Sequence, residues 1–351
     1  MLVPILIYLA IGACLIYGAA QNRRPRLRGL SRGLLMSYVS IAILFIVGEM
    51  YFRTSFAESD GIPTLALKNW QDRYWHLNEL GYRDPLWTPA DWEGKHTVLV
   101  VGDSLTEGWG LEHPETRFSG VLQSKLGDDY VVMNLGKAGA STAEELDNLK
   151  SFPLQNPDDV ILQYTLNDIE NAASSIGQNP GLDPGSAMPA WANESYLGNF
   201  IYWRFIRTFA PQTIGGSTYY TWLHSMYDNS VVWAIHETQL NAIVDQIEAM
   251  GARPGFVIFP DMGNPFDSIP YVDRVAQVFE ARGYKDRIIK LFDQAEAMPF
   301  TDRVVSAKDL HPSAKFDQIV GQLLYEQLFR LMFRMSEKEI ELGLWTSQLP
   351  T

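Results

Sequence analysis

Two apolar runs near the start of the chain constrain its fold most strongly. Residues 2–20 contain no charged side chain, and residues 34–52 contain only Glu49. A helix needs roughly 20 apolar residues to cross the hydrocarbon core of a bilayer, so each run is about long enough to span it. Glu49 stands close to the end of its run, where a carboxylate reaches water at little cost. We therefore predict two transmembrane helices, at about residues 2–20 and 34–52.

The segment between the two runs predicts their orientation. Residues 21–33 carry five arginines and no acid, and short arginine-rich loops stay on the cytoplasmic side of a membrane. We expect a basic cytoplasmic loop at 21–33 in a multi-pass protein of the inner (cytoplasmic) membrane, with everything after Phe52 on the periplasmic or extracellular side. The competing interpretation is a cleaved signal peptide, which carries its positive charge before the apolar run, whereas here the charge follows it.

Charge and cysteine content exclude several partners. The formal net charge is −13 at pH 7, and it becomes about −18 once residues 1–53 are left out. Nucleic acid needs a basic surface, so we exclude it as a partner, and anionic lipid headgroups are disfavoured. The sole cysteine, Cys14, lies in the first apolar run, so the exported part is expected to fold without disulfides. No Cys/His cluster with the spacing of metal ligands occurs in the sequence.

After residue 95 the hydrophobic pattern alternates between strands and helices. The apolar runs predict strands at residues 98–101, 130–135, 160–164 and 255–259. Helices are predicted at residues 117–126, 232–250 and 271–282, after the capping box Ser141-Thr-Ala-Glu144, and after Ser313, where apolar residues keep helical spacing as far as Met332. This alternation is typical of an α/β domain with a mostly parallel sheet covered by helices on both faces.

The other segments are placed around this region. Residues 53–95 form a polar, aromatic-rich connector, which we expect to pack on the domain because so many aromatic side chains rarely stay exposed. The domain is predicted to occupy residues 96–340, and residues 341–351 are a tail. Residues 169–231 interrupt the alternation. Insertions of this size are often lids or binding loops, and a packed satellite helix is the alternative.

Polar residues stand where the predicted strands end. In a parallel α/β sheet the functional crevice lies outside the carboxyl ends of the strands. Ser104, Gly139 and Asn167 follow the first three strands, and Asp309 and His311 precede the last helix. Taken singly, the serine is an ordinary helix cap, the glycine a turn residue with positive φ, the asparagine a loop hydrogen-bonder and the histidine a surface residue. Their occurrence together favours a catalytic site.

These segments resemble the four sequence blocks of the SGNH or GDSL hydrolase superfamily, over most of residues 97 to about 330. Gly102-Asp103-Ser104-Leu105 matches the first block, and the step from Asn134 to Gly139 resembles the second. Asn167-Asp168 resembles the third block, and Asp309-Leu-His311-Pro the last. The resemblance implies a flavodoxin-like three-layer α/β/α fold and ester chemistry through an acyl-serine, without a cofactor or a metal.

The resemblance also implies a role for each site residue. Ser104 would attack an ester carbonyl after His311 takes its proton, because a hydroxyl is a poor nucleophile at its ordinary pKa. Asp309 would orient the imidazole and stabilise its positive charge. The backbone N–H groups of Ser104 and Gly139 and the side-chain amide of Asn167 would form the oxyanion hole.

The sequence departs from the family pattern at two positions. The family most often places its acid three residues before the histidine, where this chain has Lys308, while Asp309 stands two before. Asp261, at the end of a predicted strand, is a reserve candidate for the acid, although a turn-capping role suits it better. Thr165 stands where the third block usually has a glycine, which would narrow the pocket beside Asn167.

Three functions follow as hypotheses. The leading one is an extracytoplasmic, membrane-anchored serine esterase that removes an acyl group, for example acetyl, from a carbohydrate or lipid ester. The alternative is an O-acyltransferase that passes the group to an envelope or exported polysaccharide. One branch of envelope acetyltransferases carries its Asp-x-His before the serine, whereas here it follows, in the order of the hydrolases. The third is a non-catalytic component of a membrane assembly with an unidentified protein partner.

Overall fold

The computed structural model describes residues 2–60, 64–179, 188–206 and 219–330. The strands are β1 (His96–Gly102), β2 (Tyr130–Gly136), β3 (Asp159–Tyr164), β4 (Arg253–Ile258) and β5 (Ile288–Lys290). The helices are α1 (Leu2–Gln21), α2 (Pro25–Thr54), α3 (Leu65–Tyr74), α4 (Pro89–Trp92), α5 (Ser104–Glu107), α6 (Phe118–Leu126), α7 (Thr142–Ser151), α8 (Glu170–Ser175), α9 (Ala190–Glu194), α10 (Tyr196–Ile201), α11 (Tyr219–Asp228), α12 (Ser230–Ala249), α13 (Pro265–Ala281), α14 (Phe292–Ala297), α15 (Phe300–Arg303) and α16 (Ala314–Leu324).

The chain divides into two compact units. The first comprises Met1–Arg73 and Asp183–Gln212, and the second comprises Tyr74–Leu182 and Thr213–Thr351. The boundary after Arg73 falls inside the predicted connector, and the predicted insertion is also shared between the units. The predicted tail, parts of that insertion, and Leu331 and Met332 of the last predicted helix lie outside the described residues.

The first unit contains the apolar helices. The helix α2 is 30 residues long and, by length and composition, apolar enough to cross a membrane; a shorter apolar helix covers Tyr8–Gln21. The two helices contact each other, and the rings of Tyr8 and Tyr38 stack with their centroids 4.3 Å apart. The helix α2 begins at Pro25, so most of the predicted basic segment 21–33 is helical in the structure. Proline is well suited to the first turn of a helix, and no residue after it breaks the helix.

The second unit is built on a parallel sheet of five strands in the order β2-β1-β3-β4-β5. Every strand pair is parallel, and this strand order is that of a flavodoxin-like fold. The strand β1 lies between β2 and β3, since Val101 stands beside Leu135 of β2 on one side and Leu162 of β3 on the other. The predicted α/β fold is therefore confirmed.

Side chains that alternate along each strand form two separate cores. From β1, Leu99 and Val101 pack into one core, which also takes residues of α7, α11, α12 and α13. Val98 and Val100 point to the opposite face, where α6, α14 and α16 cover the sheet. Helices on both faces of a fully buried parallel sheet make the three layers that the sequence pattern predicted.

The structure differs from the sequence prediction in two elements of this unit. The strand β5 was not predicted, since three residues are too short for a hydrophobic pattern. The helix α13 begins at Pro265, six residues earlier than expected, and contains Pro270. Pro270 obscured this start in the sequence, because a proline inside a helix removes one backbone N–H from the hydrogen-bond ladder; here it is the sixth residue of the helix. The capping box at Ser141 and Glu144 is present as predicted.

Candidate active site

The turn after β1 places Ser104 at the first position of α5. The cap of this short helix is Asp103, whose carboxylate accepts a hydrogen bond from the N–H of Leu105 at 2.9 Å. The hydroxyl of Ser104 is therefore not needed as a cap. It lies 2.9 Å from Nε2 of His311 instead. In the structure, therefore, Asp103 caps the helix and the hydroxyl of Ser104 contacts the imidazole.

Ser104, His311 and Asp309 form one hydrogen-bonded chain. Nδ1 of His311 is hydrogen bonded to Oδ1 of Asp309, and the backbone N–H of His311 donates to the same oxygen at 3.2 Å. Asp309 is fully buried, Ser104 is 8% exposed, and the histidine side chain is 24% exposed. A hydroxyl, an imidazole and a buried carboxylate in this order are the parts of a nucleophile, a general base and a group that orients the base.

A tight loop before α16 presents the acid and the base. Its ends are joined by a bridge between Val304 and Pro312, and the N–H of Val305 donates to the carbonyl of His311 at 2.9 Å. Gly110, from the turn after α5, packs against this loop with φ of +84°. A Cβ on that glycine would lie 2.6 Å from Val305 and 3.1 Å from Oδ2 of Asp309. A side chain there would therefore displace the acid.

Two of the predicted oxyanion donors come from the segments that follow β2 and β3. The side-chain amide of Asn167 donates to Oδ2 of Asp103 at 3.3 Å, and Oγ of Ser104 lies 3.5 Å from the same oxygen. Gly139 stands in the turn after β2 with φ of +78°, and its neighbour Ala138 donates its N–H to the carboxylate of Glu107. Asn167 and Ser104 thus share Asp103 as a hydrogen-bond partner. The turn that carries Gly139 contacts α5, the helix that begins at Ser104, through Ala138 and Glu107.

The reserve acid has a different role. The Oδ1 atom of Asp261 accepts from the N–H of Gly263 at 2.8 Å, and the N–H of Asp261 donates to Ser268 at 3.1 Å. This carboxylate caps its own turn, and the carboxylate on His311 is that of Asp309. Lys308 contributes to the tight loop through its N–H, which donates to Oγ of Ser306 at 3.2 Å.

Three buried acids lie on the inner side of the site. Asp103, Glu145 and Asp168 are fully buried. Burial raises the pKa of each carboxyl, and repulsion from Asp103 raises the pKa of Glu145 and Asp168 further. Within the described residues, neither carboxylate oxygen of Glu145 has a hydrogen-bond partner. An unpaired carboxylate is costly in such surroundings, so these groups are shifted toward their neutral forms.

The sequence did not predict the arginines that bind the turn after α5. Arg83 is 1% exposed and donates to the carbonyls of Gly108 and Leu111, both at 2.7 Å. Arg117 pairs with Asp84 at 2.8 Å, with both side chains almost fully buried. Arginine suits such sites because its planar fork donates to several carbonyls at once. In the sequence these arginines stand in polar segments, and no local pattern marks them as buried.

Two aromatic side chains were also missed as part of the site. The ring of Trp109 lies 6.1 Å from that of His311, and Trp75 contacts Trp109 edge-on with centroids 4.8 Å apart. Trp109 follows the serine helix directly, whereas Trp75 comes from the predicted connector. They form an apolar flank beside the exposed edge of the imidazole.

Comparison with known proteins adds a family to this geometry. The sequence model described as the GDSL-like Lipase/Acylhydrolase family matches residues 100–319. No curated protein sequence matches the chain. Solved structures to which it is similar include TesA, with 17% identity and a TM-score of 0.41 over 67% of this chain and 99% of that chain.

Two further solved structures have a similar extent of match. A carbohydrate acetylesterase family member from Sinorhizobium meliloti is 16% identical, with a TM-score of 0.36 over 68% of this chain and 97% of that chain. The native aryl esterase of M. smegmatis is 16% identical, with a TM-score of 0.35 over 66% of this chain and 97% of that chain. At these identities and TM-scores the similarities carry no information about the substrate.

Proposed function

Because the chain belongs to the GDSL-like lipase/acylhydrolase family and is an ester-hydrolysing enzyme, we propose that Ser104 is its nucleophile, His311 its general base and Asp309 the acid that orients the base. The observation that carries the proposal is the hydrogen-bonded chain from Oγ of Ser104 through the imidazole to the buried carboxylate. These residues are 207 positions apart at the serine–histidine step, so local sequence does not explain their contact.

The geometry supports a two-step reaction. Oγ of Ser104 attacks the ester carbonyl carbon while Nε2 of His311 takes the hydroxyl proton. When the intermediate collapses, the bond to the alcohol oxygen breaks and the imidazolium returns its proton to that oxygen, which leaves an acyl-serine. His311 then takes a proton from water as the water oxygen attacks the acyl carbon. The bond between that carbon and Oγ of Ser104 breaks, the imidazolium returns its proton to Oγ, and the carboxylic acid is released. Asp309 holds the imidazole tautomer through both steps.

The oxyanion of each step needs donors fixed in advance. We assign this role to the backbone N–H groups of Ser104 and Gly139 and to the side-chain amide of Asn167. Each such donor is typically worth about 3 kcal/mol of barrier. In the structure the amide of Asn167 is occupied by Asp103, so it would turn from that carboxylate toward the substrate oxygen.

We further propose that α1 and α2 anchor the enzyme in a membrane, with the second unit outside the cytoplasm. The length and hydropathy of α2 support a span, and the five arginines in residues 21–33 support a cytoplasmic position for the turn between the helices. The substrate class that fits is an acyl ester of a carbohydrate or lipid of the cell envelope. We prefer hydrolysis to transfer of the acyl group to a polysaccharide, because Asp309 and His311 follow the serine in the sequence, as they do in the hydrolases.

Labelling with a fluorophosphonate tests the site in the detergent-solubilised full chain. We expect the wild type to label, and the Ser104→Ala and His311→Ala variants to lose labelling by at least about a hundredfold. Ser124→Ala, at an exposed serine of α6, is the matched control and should label like the wild type. A well-folded wild type that does not label would contradict the proposal. Release of acid from activated esters, with and without a sugar acceptor, then separates hydrolysis from transfer.

A further inference from the structure

The first unit holds a short helical segment against the end of α2. This segment, which we call the collar, comprises the helices α9 and α10 and the π-helical turn that follows them, Tyr202–Ile206. It is the described part of the predicted insertion that lies between residues 188 and 206. Its contacts with α2 are formed by charged, aromatic and small residues, and they fix the position of the collar along the helix.

Glu49 of α2 fixes one end of the collar. Its carboxylate accepts hydrogen bonds from Oγ of Ser195 at 2.8 Å, and from the backbone N–H groups of Tyr196 and Leu197 at 3.2 Å and 3.0 Å. Arg53, one turn further along α2, pairs with the same carboxylate at 2.6 Å. The only acid in this apolar run is thus matched by four donors. A charge in such a helix is expensive unless it is paired in this way.

Aromatic packing fixes the middle of the collar. The rings of Phe52 and Phe200 stack with centroids 4.3 Å apart, and Phe56 contacts Phe200 edge-on at 5.5 Å. Gly48 lets the helices approach closely, since a Cβ there would lie 3.1 Å from Leu197. The collar therefore lies at the last two turns of α2, at one level of that helix.

Large apolar side chains are exposed at this same level. Met50 and Tyr51 of α2 are 61% and 52% exposed, and Trp191 and Phe205 of the collar are 46% and 59% exposed. Arg204 stands beside Phe205 and pairs with Asp60 at 3.3 Å and with Glu58. Exposed aromatic rings beside paired charges are typical of the zone where hydrocarbon meets lipid headgroups.

The length of α2 places the collar at that zone. The apolar run at residues 34–52 has 19 residues and rises about 28 Å as a helix, close to the thickness of the hydrocarbon core. Its last two turns therefore reach the boundary of the core. We propose that the collar is a lipid-contacting element, with Trp191 and Phe205 inserted among the headgroups of the outer leaflet.

The partner is a phospholipid bilayer surface. The contact is made by aromatic rings rather than by a basic patch, because the cations Arg53 and Arg204 are already paired within the unit. Binding should therefore not require anionic lipid. This inference rests on the proposed membrane anchoring through α2 and goes beyond it, since it assigns a membrane-surface role to residues 190–206.

Single-cysteine labelling tests the inference in the full chain. Cys14 is the sole cysteine, so a Cys14→Ser background accepts one new cysteine at a time. Phe205→Cys reports the collar, and Leu44→Cys reports the middle of the apolar run at residues 34–52. Phe266→Cys is the matched control, since this phenylalanine of the second unit is 68% exposed. Each protein is labelled with a polarity-sensitive dye and reconstituted in phosphatidylcholine vesicles that carry nitroxide lipids, with iodide as the aqueous quencher.

The proposal predicts a different result at each site. The label at residue 44 should be quenched by nitroxides deep in the bilayer. The label at residue 205 should be quenched by shallow nitroxides severalfold more than the label at residue 266, and should be severalfold better protected from iodide. Equal iodide quenching at residues 205 and 266, with residue 44 in the bilayer, would overturn the collar alone. Iodide quenching at residue 44 would overturn the anchor and, with it, the collar.

Glu49→Ala provides a second test. The variant removes the acceptor that holds Ser195, Tyr196 and Leu197, so the label at residue 205 should lose most of its protection from iodide while the label at residue 44 keeps its own. Fluorophosphonate labelling of the same sample checks that the second unit is folded. An unchanged signal at residue 205 in this variant would contradict the docking of the collar through Glu49.

Discussion

Glu107 offers a quantitative test of how burial and charge are balanced in α5, the helix that begins at the proposed nucleophile Ser104. It closes the helix α5, is 2% exposed, and accepts the N–H of Ala138 from the turn that carries Gly139. Burial raises its pKa from 4.5 to about 7, against the opposing effects of the Ala138 hydrogen bond and of Arg83 and Arg117. The folded state therefore holds a proton on this carboxyl between those two pH values, where the unfolded state has lost it.

The sign of the pH dependence follows directly. Because the folded pKa is raised, the contribution of protonated Glu107 to stability is complete below pH 4.5 and is lost as the pH rises through about 7. A shift of this size corresponds to about 3 kcal/mol. In a domain of this size that free energy amounts to roughly 6–12 °C in melting temperature.

The variant Glu107→Gln isolates this effect, since glutamine stays neutral and keeps an acceptor for the N–H of Ala138. We expect its melting temperature, relative to wild type, to rise by about 6–12 °C between pH 5 and pH 8. Near-ultraviolet circular dichroism of the full chain in detergent measures it, and Glu296→Gln, at an exposed glutamate of α14, is the control. A relative loss of stability at pH 8 would mean that Arg83 and Arg117 stabilise the anion, and would refute the dominance of burial.

Two further predictions concern the site itself. Asp309→Asn should lower kcat for an activated ester by about 10²–10⁴-fold without changing the fold. Asp261→Asn and Lys308→Gln should keep kcat within about threefold of wild type. A larger loss of kcat in Asp261→Asn than in Asp309→Asn would transfer the acid's role to Asp261. Gly139→Ala should lower kcat, and it should lower the free energy of unfolding by about 1 kcal/mol. No atom lies within 4 Å of the added Cβ, but the φ of +78° at this position strains any side chain. An unchanged kcat would exclude this turn from the oxyanion hole.

The fold was predictable wherever the sequence pattern is long. The four predicted strands are present because each contains a short apolar run, which a sheet buried on both faces requires. The strand β5 escaped because it has three residues. The division of the insertion escaped for another reason: Glu49 and Phe52 meet Ser195 and Phe200 across about 146 residues of sequence, and a single sequence contains no record of that contact.

The site was predictable where a residue stands at the end of a strand or before a helix. Ser104 and His311 occupy such positions, and the structure places them 2.9 Å apart. Glu107 and Arg83 contribute through backbone groups of distant turns, and such partners are set by tertiary packing rather than by spacing. Residues of this kind support the backbone turns around the predicted residues, and no spacing in the sequence marks them.

Three buried carboxyl groups lie near the site where the proposed oxyanion would form, and their charge affects its stability. The developing charge would form beside Asp103, which lies 3.5 Å from Oγ of Ser104, with Glu145 and Asp168 behind it. An ionised Asp103 would repel that charge in a medium where interactions are poorly screened. Burial raises the pKa of all three carboxyls, and a carboxyl that is protonated carries no charge to repel the oxyanion. Burial in this way limits the repulsion that three acids would otherwise exert on the transition state.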